Sequence, residues 1–147
     1  MEKVDLFRSL SQDSSPARPI RLAAIDDGAV IEVDAASLLA QYLLADRDVL
    51  LVLDEDMPYE EQLHLVLVRG NAIIDHLVIG APYATGIFRE LEVRGDTLAF
   101  SFEGDAVWTV GLNSHGSRMP AGLPSGARHR GGWLARHYLS LSRNDVA

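Results

Sequence analysis

Apolar and polar residues alternate along much of this chain with the two-residue period of β-strands, and short turn dipeptides punctuate the alternation. The clearest unit is 89–94, then Gly95-Asp96, then 97–102. A two-residue turn of this kind fixes which residues face each other. It sets Val93 opposite Leu98 and Leu91 opposite Phe100 on one face, with Glu92 opposite Ala99 and Glu90 opposite Ser101 on the other. Turn chemistry and hydrophobic pattern agree on that register. A second hairpin is read over 20–26, Asp27-Gly28 and 29–33, with Leu22, Ala24, Ile31 and Val33 on one face. Around Gly104-Asp105 two local rules conflict. A two-residue turn would put Trp108 opposite Ser101 on the polar face, whereas one more loop residue pairs Phe102 with Trp108 and Phe100 with Val110. The hydrophobic pattern predicts a three-residue loop or a bulge there.

Segments 49–53, 63–68 and 72–79 are apolar at odd and even positions alike, so both of their faces need cover. Over 35–46 the pattern changes. Asp34 has the chemistry of an N-cap, Ser37 and Gln41 form a narrow polar stripe, and Leu38, Leu39, Tyr42, Leu43 and Leu44 fill the rest of the circumference. That spacing predicts a largely buried helix over 35–46, packed on the sheet. With a last strand over 133–142, the chain reads as mainly β (α+β). The expected architecture is an antiparallel meander of about eight or nine strands, forming a curled sheet or small barrel with one packed helix. A two-sheet sandwich is the alternative. Residues 1–19, rich in Ser and Pro from position 9, read as a peripheral N-terminal segment, and 20–147 as a single β-rich domain.

Composition narrows the function classes. At 147 residues the chain suffices for one domain with a real core. Its net charge of −8 disfavours binding to nucleic-acid phosphates or to an anionic membrane surface. No apolar run approaches the roughly 18 residues of a membrane span. The absence of cysteine removes disulfides, thiolate metal sites and cysteine nucleophiles. Together with an N-terminus that leads into no signal-peptide core, it sets the expectation of a cytoplasmic protein.

The compositional anomaly is 113–132, a long loop with five glycines, two prolines, no acid and a charge of +3. Loops of that length are uncommon in compact domains unless functional or disordered. Arg118, Arg128, Arg130, His115 and His129 are therefore candidate ligand-binding residues, since arginine forks clamp phosphates and carboxylates. No phosphate-loop or dinucleotide motif is present, and Gly122-Leu123-Pro124-Ser125-Gly126 departs from the nucleophile elbow.

The five histidines, His64, His76, His115, His129 and His137, form no H-E-x-x-H and no close pair, so neither a metal site nor a cofactor is expected. A two-residue Gly70-Asn71 turn sets His64 opposite Leu77 and His76 opposite Leu65, on opposite faces. His64 then shares a face with Asp75 as a buried polar pair, with a general base as the sharper alternative. Asp54, Glu55, Asp56, Glu60 and Glu61 form an acidic run broken by Pro58, without calcium-loop spacing. It reads as a solvated hairpin loop, an acidic surface that would steer a basic protein partner.

Two functional expectations follow. One is a non-enzymatic protein-interaction module, binding a protein partner or a second copy of itself. The other is a small-ligand-binding β-barrel that recognises an anionic or apolar metabolite through the 113–132 loop, with simple acid/base chemistry. In the second, Trp108, Trp133, Phe88, Phe100, Phe102 and Tyr138 would line the pocket.

Overall fold

The computed structural model describes residues 1–10, 19–45, 47–55, 62–80, 86–117, 122–130 and 137–145, with only the backbone of 114–117. Among these, thirteen strands and no helix are found: β1 (Glu2–Lys3), β2 (Phe7–Ser9), β3 (Ile20–Ala24), β4 (Val30–Val33), β5 (Ser37–Leu43), β6 (Val49–Asp54), β7 (Leu63–Arg69), β8 (Ala72–Ile79), β9 (Arg89–Arg94), β10 (Thr97–Ser101), β11 (Val107–Ser117), β12 (Ala127–His129) and β13 (His137–Asn144). All pairings are antiparallel. The strands form three sheets, ordered β1-β5-β6-β7-β8-β12, β13-β11-β10-β9 and β2-β3-β4, and none closes into a barrel.

The six-stranded sheet is the middle layer. Leu50, Val52, Leu65, Leu67, Leu77 and Ile79 pack toward Leu98, Phe100, Trp108, Val110 and Leu139 of the four-stranded sheet. Alternating with them, Leu51, Leu53, Val66 and Val68 pack toward Phe7, Leu22, Ile31 and Val33 of the three-stranded sheet. This explains why 49–53 and 63–68 are apolar at odd and even positions alike: β6 and β7 are covered by a sheet on either face, whereas β8 starts exposed at Ala72 and Ile73 and packs Leu77 and Ile79 toward the four-stranded sheet.

The helix expected over 35–46 is a correction, for β5 spans most of that segment. The ladder pairs Leu38 with Leu53 and Ala40 with Val52, leaving Leu39 as an extra, 41% exposed residue. One bulged residue breaks the two-residue alternation, and burial on both sides removes the polar positions that would have marked it. Ala40 and Tyr42 face the four-stranded sheet, while Leu38, Gln41 and Leu43 face the other. Gln41 replaces a missing ladder with one side chain. Its Oε1 accepts the Leu6 and Phe7 N–H groups at 3.0 and 2.8 Å, and its Nε2 donates to the Phe7 carbonyl at 2.8 Å. It thereby ties β2 to the middle sheet.

The β9–β10 register holds near its turn and slips beyond it, whereas β3–β4 and β10–β11 depart from the expected pairing at the turn itself. Val93 pairs with Leu98 and Glu92 with Ala99 as expected, but Leu91 bulges out, and Glu90 pairs with Phe100. Leu91 is 53% exposed. Leu22, Ile31 and Val33 share their expected face, though Leu22 pairs with Ile31. At the Gly104 turn the loop is longer than expected, pairing Phe100 with Trp108 and Leu98 with Val110, and all four side chains still enter the core. The first ten residues, read as peripheral, supply β1 on the middle sheet and β2 against β3. Described helices long and apolar enough to cross a membrane are absent.

Candidate functional site

Strand β8 carries the chemistry of this molecule, one acid and one histidine on consecutive residues that face opposite layers. The Gly70-Asn71 turn begins as read, with Arg69 opposite Ala72 and Val68 opposite Ile73. Gly70 sits at φ +64°, the left-handed conformation such a turn demands. A bulge at Ile74 then advances the register, so Leu67 pairs with Asp75, Val66 with His76 and His64 with Val78. That single extra residue puts His64 and His76 on one face and Asp75 on the other. The expected His64–Asp75 pairing is therefore not formed by this register, although both residues are buried.

On the side of the three-stranded sheet, His64 Nε2 lies 2.8 Å from Glu55 Oε1 and His64 Nδ1 lies 2.7 Å from His76 Nε2. If Glu55 accepts from Nε2–H, then Nδ1 is the acceptor for His76, and the chain fixes each ring's tautomer. Burial, followed by the neighbouring His64 and the Arg130 guanidinium, lowers the His76 pKa to about 4. Arg128 and Arg130 reach this side from β12 and its flank, where Arg128 donates to Gln62 Oε1 at 3.1 Å and Arg130 pairs with Asp34. This cluster is internally completed.

On the opposite side Asp75 meets His129 and His137. Asp75 Oδ2 accepts the Tyr138 and Leu139 backbone N–H groups at 2.7 and 2.8 Å, and Oδ1 accepts the His76 N–H at 2.8 Å. The carboxylate thus binds an edge strand of one sheet to the next sheet. Oδ1 is also turned toward two imidazoles, with His129 Nδ1 at 3.4 Å and His137 Nδ1 at 4.0 Å. The two rings lie 3.7 Å apart between centroids, tilted by 32°. Side-chain exposure is only 4% for Asp75, 10% for His129 and 5% for His137.

Despite that burial, neither ring nitrogen of His129 nor Nε2 of His137 has a well-formed hydrogen bond among the described residues. Leaving a buried polar atom unpaired costs about 1–3 kcal/mol, and a bound ion is one partner that relieves it. Burial, opposed by Asp75 and reinforced by His137, lowers the His129 pKa. That direction favours the neutral imidazole, whose bare nitrogen is the form that ligates metals. One ligand atom from each of the three residues lies within 4.8 Å of the other two. Around a tetrahedral zinc ion with bonds of about 2.1 Å, ligand atoms stand about 3.4 Å apart. Asp75 and His129 already meet that spacing, and a small contraction brings in His137.

Of the residues singled out from sequence, His129 enters this cluster, while Arg128 and Arg130 project on the other side of β12. Arg118 and the His115 side chain lie outside the described residues, as do Asp56, Glu60, Glu61 and Trp133. Within the acidic run, Glu55 turns inward to His64, and Asp54 is half-buried at the end of β6. His137 escaped selection, as did the Asp75–His129–His137 grouping, because its members come from strands far apart in the chain. The phenyl and indole rings of Phe100, Phe102 and Trp108 are packed core. Comparison with known protein families, curated proteins and solved structures finds no match for this chain.

Proposed function

We propose that this chain is a metal-binding β-sheet domain, holding one divalent transition-metal ion between Asp75, His129 and His137. The observation that carries this reading is the pair of nearly buried imidazoles whose Nδ1 atoms both face a buried carboxylate, that of His129 without a hydrogen-bond partner among the described residues. Two imidazoles and one carboxylate suit zinc and its first-row neighbours rather than calcium or magnesium, which take oxygen ligands. The carboxylate is itself oriented by three backbone N–H groups, the outer support that metal ligands characteristically have.

The test is calorimetric titration of the full chain with zinc chloride. One saturable site is expected. Replacing His129 or His137 by Ala should each weaken it beyond the roughly 10–100-fold typical of losing an outer-shell partner. Arg130→Ala, on the other side of β12, should leave affinity within about twofold, the change expected of a residue that touches no ligand. Saturable binding that survives both histidine variants would sink the reading, and so would no binding at all.

A second reading, self-association of the chain, is supported by β9. This strand ends the four-stranded sheet and exposes Leu91, and Ile87, two residues before the strand, is 71% exposed. Open strand edges accept further strands. Sedimentation should then show a dimer that Leu91→Lys disperses, and a wild-type monomer at high concentration would end that reading.

A further inference from the structure

We infer that the metal is a clasp between layers, whose loading is linked to docking of β12 and the start of β13 on β8. This rests on the metal reading above and assigns that site its regulation. The three ligands come from three strands: Asp75 from β8 in the middle sheet, His129 from β12 at that sheet's edge, and His137 from β13 in the four-stranded sheet. An ion bound by all three joins β13 to β8 and β12, which belong to a different sheet and share no backbone ladder with it. β12 is only three residues long, and it pairs with β8 through Ala127, Arg128 and His129 alone. β13 meets β8 through Asp75, whose carboxylate takes the Tyr138 and Leu139 N–H groups.

The site's burial points the same way. All three ligand side chains are at least nine-tenths buried, so an ion held there sits between the layers and away from solvent. Without an ion, the docked arrangement leaves the buried His129 Nδ1 without a hydrogen-bond partner among the described residues, which disfavours docking at this corner. A bound ion gives that nitrogen a partner and joins it to the His137 Nδ1 and Asp75 Oδ1 atoms that face it. An ion that binds only the docked form must shift the population toward it.

Hydrogen–deuterium exchange on the full chain, after chelator treatment and again with zinc, reads this directly. Exchange should slow at least about tenfold in peptides covering 127–130 and 137–141, and remain unchanged in β6 and β7. Arg128→Pro provides the converse. Residue 128 lies between two bonds of the β12–β8 ladder, Gly80 N–H to the Gly126 carbonyl and Arg130 N–H to the His76 carbonyl. Proline there weakens docking while leaving every ligand in place, and zinc affinity should fall at least about tenfold. Zinc binding seen by calorimetry with unchanged exchange at β12 and β13 would overturn the clasp and leave the metal reading standing. Wild-type affinity in Arg128→Pro would overturn it as well. Failure of zinc to bind would remove both.

Discussion

Asp75 and His76 are neighbours on one strand, yet they belong to clusters in opposite states of completion. Toward the three-stranded sheet, Glu55, His64 and His76 satisfy one another in a continuous hydrogen-bonded chain. Toward the four-stranded sheet, Asp75 accepts three backbone N–H groups, while His129 and His137 keep nitrogens without a hydrogen-bond partner among the described residues. Residue types and burial are similar on the two sides. What separates them is whether each polar atom has found a partner within the chain, and that difference marks one side as framework and the other as receptor.

The contrast can be broken most severely at Asp75. Asp75→Ala strands three backbone N–H groups, that of Leu139 buried and those of His76 and Tyr138 partly so, and unties β13 from β8, so urea unfolding should show a loss of about 3 kcal/mol. A loss below about 1 kcal/mol, the worth of a single ordinary hydrogen bond, would mean water replaces those contacts. Next in size is His64→Leu, which leaves buried Glu55 facing an apolar group. About 2 kcal/mol of stability should disappear in the same assay. The sharpest comparison sets that result beside His129→Leu in metal-free protein. The same substitution on the other side removes a ring without a hydrogen-bond partner, so stability should change by less than about 0.5 kcal/mol or rise slightly. Equal losses for the two variants would erase the distinction.

A smaller effect lies between the middle sheet and β9, where the Tyr42 hydroxyl donates to Glu90 Oε1 at 2.6 Å. Burial, with help from that hydrogen bond and the Glu90 charge, raises the Tyr42 pKa. A raised value in the folded state means its stabilisation is intact below about pH 10, the unfolded value, and is lost as pH climbs through the folded one. Tyr42→Phe should cost about 1 kcal/mol at neutral pH and flatten the alkaline decline. Thermal melts of both proteins between neutral pH and strong alkali give the comparison, and parallel declines would exclude Tyr42 as the cause.

Much of the sheet structure was legible in the sequence, because turn dipeptides and alternation are local signals. The β9–β10 hairpin is right for the first three pairs, and the two-sided cover required by β6 and β7 is supplied by sheets on both faces, while β8 is exposed over its first residues. Errors share one physical origin. At Leu39, Ile74 and Leu91 a single extra residue resets the alternation, and nothing in composition announces it. At Leu39 it made a strand resemble a helix, and at Ile74 it moved His64 away from the face of Asp75 and onto that of His76. The site was legible only in part. His129 drew notice through its unusual loop, but its grouping with Asp75 and His137 depends on how β12 and β13 approach β8, and spacing along a chain carries no such information.

Gln41 has a consequence that reaches past its own three hydrogen bonds. A carboxamide is the shape of a peptide unit, so β2 meets a counterfeit stretch of main chain where a neighbouring strand would otherwise stand. Main-chain groups are indifferent to mutation, whereas this imitation is written in a codon. The attachment of one whole layer is therefore exposed to single-letter change. Gln41→Glu would turn its donor into an acceptor against the Phe7 carbonyl and set two oxygens at odds in the interior.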